Sequence, residues 1–208
     1  MTFRIAILFS FLAIFTFNTA AEDALYAKLP PSDAAFFRFI NINSQTIDVA
    51  YDNKRIGNLS QGEVSRYGYE SFGSFTFSIG GKPLTLELKK GELATIVLDD
   101  TAENGYFTIS EQVFDNKRKA RIKLYNLTQR PTLTLKTADG KHDVVNSVEP
   151  HTVGFRDINA VNMPFAAFAE DTAVITTDAV ALTRNKVTSV FAFNVNQNTQ
   201  VTVRESER

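Results

Sequence analysis

Phe75-Thr76-Phe77-Ser78-Ile79-Gly80-Gly81-Lys82-Pro83-Leu84-Thr85-Leu86-Glu87-Leu88 is the stretch that decides the fold. Phe75, Phe77 and Ile79 alternate with Thr76 and Ser78, a period of two that puts one set on each face of a strand. Gly80-Gly81-Lys82 predicts a hairpin turn, because paired glycines accept the positive φ such turns need. Leu84, Leu86 and Leu88 then resume the alternation. Lys89-Lys90-Gly91-Glu92 predicts a further turn, and Leu93 to Leu98 a further strand. Upstream, Ala35, Phe37 and Phe39 point one way and Phe36, Arg38 and Ile40 the other, while Ile47, Val49 and Tyr51 alternate likewise. In the second half the pattern returns at Ile122-Leu124, Leu133-Leu135, Val180-Leu182 and Val190-Phe191-Phe193. No stretch reads as a long amphipathic helix. The expectation is an all-β protein of Ig-like or jelly-roll-like sandwiches.

The halves resemble each other. Ala35-Phe36-Phe37-Arg38-Phe39-Ile40-Asn41 lies on Ala120-Arg121-Ile122-Lys123-Leu124-Tyr125-Asn126 at a shift of 85. Leu86 to Leu93 lies on Val180 to Val187 at a shift of 94, so the second copy carries nine extra residues. Gly91 and Asn185 then coincide, and both types tolerate the left-handed conformation, which predicts one turn built twice. Asn41 and Asn126 each end a first strand, where an Asn side chain bonds local backbone. The reading is two tandem domains, 34–111 and 120–205, joined by a mostly polar linker, 112–119, after an extended segment, 22–33, that contains Pro30-Pro31. Halves of this size just support a core each.

The N-terminus reads as an address. Arg4 precedes an apolar run, Ile5 to Phe17, and Asn18-Thr19-Ala20-Ala21 offers small residues for cleavage after Ala21. That is the secretory pattern, and the run is short for a permanent span. Residues 1–21 are expected to be a signal peptide, and no Cys follows to carry a lipid. Five of the 18 Phe fall in this leader.

Composition narrows the chemistry. The 208 residues carry 22 Lys+Arg against 23 Asp+Glu, a net charge of −1, which argues against tracking nucleic-acid phosphates. Zero Cys removes thiol nucleophiles, disulfides and thiolate metal sites. Acyl transfer by serine needs a base in hydrogen-bond reach and an oxyanion hole. Gly-x-Ser-x-Gly, Gly-Asp-Ser and Asp-x-x-His are missing from the sequence, and Ser60, Ser74 and Ser147 read as turn or strand-edge polarity. His142, Asp143, Glu149 and His151 cluster within ten residues but match no ligand spacing, and read as a solvated loop. No catalytic residue, metal site or cofactor is expected.

Certain stretches resemble a known family. They are Asp23-Ala24-Leu25-Tyr26 with Pro30-Pro31 and Ala34 to Asn41; Leu133-Thr134-Leu135-Lys136-Thr137-Ala138-Asp139-Gly140-Lys141 followed by Asp143-Val144-Val145; Arg156-Asp157-Ile158-Asn159 with Val161; and Asn116-Lys117-Arg118-Lys119-Ala120 ahead of a strand ending in Asn126. Together these resemble the AlgF family of alginate O-acetylation accessory proteins, from Asp23 to about Val190. Arg130-Pro131 and the Phe-rich first strand depart from it. The resemblance implies a periplasmic, non-catalytic adaptor that docks periplasmic alginate acetyltransferases and a membrane-bound O-acyltransferase. Two other readings stay open: a carbohydrate-binding module that presents alginate, and an acetyl-carrying transferase with an unrecognised site.

Two surfaces are candidates for polymer or partner binding. Tyr67, Tyr69 and Phe72 lie in a Gly- and Ser-containing loop, Arg66 to Gly73, where aromatics are hard to bury, and Tyr67 and Tyr69 share parity. Lys117, Arg118 and Lys119, with Arg121 and Lys123 beyond them, are the densest positive cluster and would suit a polyanion.

Overall fold

A computed structural model describes residues 30–196 and 198–206; the expected leader, 1–21, and nearly all of the extended segment, 22–33, lie outside the described residues. The first half holds β1 (Ala34–Asn41), β2 (Ile47–Tyr51), β3 (Lys54–Leu59), β4 (Gly68–Ser71), β5 (Gly73–Ile79), β6 (Lys82–Leu88), β7 (Glu92–Leu98) and β8 (Tyr106–Gln112). The second holds β9 (Ala120–Leu127), β10 (Leu133–Thr137), β11 (Asp143–Val148), β12 (Thr152–Ile158), β13 (Asn162–Ala169), β14 (Thr172–Ala181), β15 (Val187–Val195) and β16 (Asn198–Ser206). The described residues contain no helix. The protein is all-β, two tandem β-sandwich domains.

The deciding stretch forms the hairpin it predicts. Phe77 faces Leu84 and Ile79 faces Lys82 across β5 and β6, and Gly80 and Gly81 turn the corner at φ 55° and 81°. The four sheets run β4-β1-β7-β8, β3-β2-β5-β6, β12-β9-β15-β16 and β11-β10-β13-β14. Adding eight to each strand number converts the first pair of sheets into the second, so the topology itself is duplicated.

The duplication holds residue by residue. Parallel β1 and β7 set Phe36 opposite Leu93; parallel β9 and β15 set Arg121 opposite Val187. Those partners are related by the shifts of 85 and 94. Gly91 (φ 73°) donates its N–H to the Ala34 carbonyl at 2.9 Å, and Asn185 (φ 61°) donates to the Lys119 carbonyl at 2.8 Å. Asn41 Nδ2 donates to the Gln45 and Leu59 carbonyls, and Asn126 Nδ2 to those of Arg130 and Val148. Each Asn thus satisfies backbone carbonyls that the ladder leaves open.

Each sandwich buries the face its alternation marks. Ala35, Phe37 and Phe39 of β1 pack with Phe75, Phe77, Leu84 and Ile96; Ala120, Ile122 and Leu124 of β9 pack with Leu133, Leu135 and Phe165. A third cluster joins the halves: Ile40, Val97 and Ile109 meet Tyr125, Phe191 and Phe193. The central strands of each inner sheet, β1 and β7 or β9 and β15, are therefore buried on both faces. That is why β9 and β15 are buried along most of their length, polar residues included.

Two loop expectations are corrected. Gly68–Ser71, inside the stretch read as a loop, is the edge strand β4, paired with β1 from Phe37↔Gly68 to Ala34↔Ser71. Gly68 permits this close approach: a Cβ there would lie 2.5 Å from the Phe37 ring. Asp143–Val148, read as part of a solvated loop, is β11, and Val144, Val145 and Val148 belong to the second core.

Candidate functional site

Ionisable and hydroxyl groups converge on the face between the sandwiches. Arg38 stands in β1 between Phe36 and Ile40, on the side turned away from the first core, and is only 1% exposed. Its Nε donates to Thr95 Oγ1 at 3.0 Å, and its Nη2 donates to the Tyr125 hydroxyl at 2.8 Å and to Ser189 Oγ at 3.0 Å. The guanidinium also lies over the rings of Tyr67 (4.5 Å) and Phe191 (4.8 Å), whose π faces accept its charge. Lys123 occupies the equivalent position in the second half and is equally buried. Its Nζ pairs with Glu111 Oε2 at 2.6 Å, while Glu111 Oε1 accepts a hydrogen bond from the Tyr125 hydroxyl. Arg38 and Glu111 both come from the first half, and Tyr125, Ser189 and Lys123 from the second.

Burial sets the electrostatics. Burial pushes the Tyr125 hydroxyl well up, against the opposing pull of Arg38. Tyr67 is pushed up to about 12, again chiefly by desolvation, although part of its ring remains exposed; its hydroxyl bonds toward Thr95 and Tyr125. Burial lowers Lys123, and Glu111 offsets this in part. Burial alone would lower Arg38, but Tyr125, Tyr67 and Glu111 outweigh it and the net displacement is upward.

This arrangement braces the fold. Ser189 Oγ accepts from a guanidinium, and an arginine does not act as a base, so nothing here activates that serine. Among the described residues, every buried side-chain nitrogen and oxygen has a hydrogen-bond partner.

The candidates read from sequence separate into inner and outer groups. Tyr67 and Tyr69 do share a face, but Tyr67 is tucked beneath Arg38, whereas Tyr69 is 38% exposed beside Phe36, with ring centroids 6.2 Å apart. Phe72 is 54% exposed at the turn into β5. Lys117 and Arg118 are exposed in the connection between β8 and β9, and Lys119 Nζ donates to Asn159 Oδ1 at 2.9 Å. The longer positive cluster is dispersed. Lys123 is the buried partner of Glu111, and Arg121 makes a bidentate pair with Asp157 at 2.7 and 3.1 Å, sandwiched between Phe114 and Phe155. Ser60, Ser74 and Ser147 are exposed. His151 stacks on Phe107 of the first half at 4.3 Å, and Asp143 pairs with Lys136 at 3.2 Å.

Sequence alone does not assemble the brace, because its members are scattered from residue 38 to residue 189. One signal was present. Arg38 and Lys123 fall on the same position of the repeat, each a cation flanked by apolar residues in its strand.

A family model described as alginate O-acetyl transferase AlgF matches residues 6–189. The alginate biosynthesis protein AlgF of Pseudomonas aeruginosa is 33% identical over 177 residues, covering 83% of this chain and 78% of its own. AlgF of Azotobacter vinelandii is 31% identical over 176 residues, covering 85% of this chain and 80% of its own. A solved structure of the C-terminal domain of AlgF from P. aeruginosa is 35% identical and covers 43% of this chain and 99% of its own, with a TM-score of 0.39.

Proposed function

The chain belongs to the AlgF family of alginate biosynthesis proteins, and we propose that it works in the periplasm as a non-catalytic adaptor for alginate O-acetylation. In this reading it docks periplasmic alginate acetyltransferases to one another or to the membrane-bound O-acyltransferase. Holding donor and acceptor enzymes together raises their effective concentration without any chemistry on the adaptor. One observation carries the proposal. The polar groups that converge in this fold, Arg38, Glu111, Lys123, Tyr125 and Ser189, are spent on each other between the sandwiches. What faces solvent includes exposed aromatic side chains, Tyr69, Phe72 and Phe155, of the kind that fill a partner's pocket. Export through the leader 1–21 is part of the proposal.

Crosslinking followed by pull-down from alginate-producing cells tests it. The adaptor reading expects the acetylation proteins to be retained with the wild-type chain and depleted with Phe72→Ser. Failure to retain any of them, in cells whose alginate is acetylated equally well without the chain, rejects it.

The exposure of Tyr69 and Phe72 also favours a second reading, a module that presents alginate. That reading expects alginate affinity that falls with salt and with replacement of Lys117, Arg118 and Lys119.

A further inference from the structure

The faces that meet between the sandwiches are the same face of the repeat. On the first half this face carries Arg38, Ile40, Thr95, Val97 and Phe107, with Glu111 beyond them; on the second, Lys123, Tyr125, Ser189, Phe191 and Thr202 stand at the places that match the first five. The correspondence follows from the ladders. Val97 faces Phe107 across β7 and β8, and Phe191, its counterpart at a shift of 94, faces Thr202 across β15 and β16. Gly62 and His151 also correspond: each has positive φ, 77° and 58°, and each donates its N–H at 2.7 Å to the carbonyl of the equivalent Asn, Asn41 or Asn126.

With those equivalences, contacts across the interface come in exchanged pairs. Phe107 of the first half stacks on His151 of the second, ring centroids 4.3 Å apart and planes 24° apart. Exchange each residue for its counterpart and the pair becomes Thr202 with Gly62. These too are in contact: a Cβ built on Gly62 would lie 3.2 Å from Thr202 Oγ1 and 2.6 Å from the Phe193 ring. Residue i meeting j while j's counterpart meets i's counterpart is the signature of an isologous, two-fold interface. Sheet order agrees with it, since each half uses its equivalent inner sheet, β4-β1-β7-β8 or β12-β9-β15-β16.

We infer that the molecule is a fused quasi-isologous dimer, in which the partner of each sandwich's outward face is the equivalent face of the other sandwich. Side-chain contacts hold this pairing, and the connection 113–119 is not needed to maintain it. Charge makes the pairing cognate. The acid that pairs with Lys123 is Glu111 of the first half, so a pairing between two copies of the second half would leave both Lys123 side chains without it. Two buried ammonium groups would then lose their acid, which disfavours like-with-like pairing.

A protease site inserted between Asp115 and Asn116 of the full chain tests this after folding and cleavage. The expected result is that the two fragments co-elute at the position of the intact chain at about 1 µM, a concentration at which an affinity tighter than that keeps them paired. Glu111→Gln in the same background should weaken the association at least ~10-fold. Fragments that run apart at that concentration while keeping their β circular dichroism overturn the inference. Should the inserted site prevent folding, Phe107→Cys with His151→Cys decides, because the chain has no Cys of its own. Air oxidation should close one intramolecular disulfide, and a folded double variant that stays reduced overturns the pairing.

Discussion

The Arg38 guanidinium donates to the Tyr125 hydroxyl at 2.8 Å, joining residues 87 apart in sequence and on different sandwiches. Both are buried, and the same hydroxyl donates onward to Glu111, which holds Lys123. A continuous polar chain therefore crosses an apolar interface, and removing any link leaves a buried group without its partner.

Arg38→Ala is expected to lower the free energy of unfolding by about 3 kcal/mol, since it leaves the hydroxyls of Thr95 and Ser189 short of a donor and opens a cavity. Arg38→Lys should rescue little, because an ammonium cannot reach three acceptors in the fork geometry of a guanidinium. Urea unfolding followed by circular dichroism reads both. A Lys variant as stable as wild type would show that charge alone suffices.

Glu111→Gln should cost about 3–5 kcal/mol, as expected when one partner of a buried ion pair is removed. Glu111→Met combined with Lys123→Met should recover most of that loss, because apolar side chains of similar length suit this interface. Unfolding free energies of Glu111→Met, of Lys123→Met and of the two together, taken as a cycle, measure the coupling.

Alkaline pH should unlock the interface. Tyr67 titrates at about 12 in the folded chain against about 10 when unfolded, so its contribution is complete below pH 10 and is lost as pH rises toward 12. The loss from this group is at most about 2–3 kcal/mol, and Tyr125, raised in the same direction, adds to it. Lys123 acts oppositely. Its folded pKa is lowered, so the unfolded chain binds more protons just below its ordinary 10.5, and stability there gains with pH. Above 10.5 only the tyrosines remain, and stability should fall. Tyrosinate absorbance should show Tyr67 and Tyr125 ionising late, in step with unfolding, beside Tyr51, which burial also raises; early titration of every tyrosine would contradict the brace.

The duplicated turn predicts an exchange. Asn185→Gly should stabilise by roughly 0.5–1 kcal/mol, since a φ of 61° costs Gly less than Asn. Gly91→Asn should be mild and Gly91→Val severe, although no atom crowds a Cβ there, because a β-branched residue resists φ 73°. Thermal unfolding of the three variants ranks them.

Much of this fold was legible in local pattern. The hairpin at Gly80-Gly81, the parity of Phe37 and Phe39 against Arg38, and the shifts of 85 and 94 all rest on short-range periodicity and turn chemistry. The face between the sandwiches was not. Alternation in β1 says that Phe36, Arg38 and Ile40 share a side, but not that this side is covered by residues some 85 positions away. For the same reason Tyr67 read as a free aromatic and Lys123 as part of a basic surface. Each is placed by a long-range contact that period two cannot encode. The short strand β4 was hidden by Gly68 and by Gly73 just beyond its end, which read as loop until Phe37 explains the first of them.

The adaptor reading is tested most directly by the acetyl content of alginate from a strain that lacks the chain and is complemented with variants of it. Deletion should strip acetyl groups from the polymer, and a chain carrying Ser60→Ala, Ser74→Ala and Ser147→Ala together should restore them as fully as wild type. Undiminished acetylation without the chain, or loss of complementation by a single one of these folded Ser→Ala variants, would contradict it.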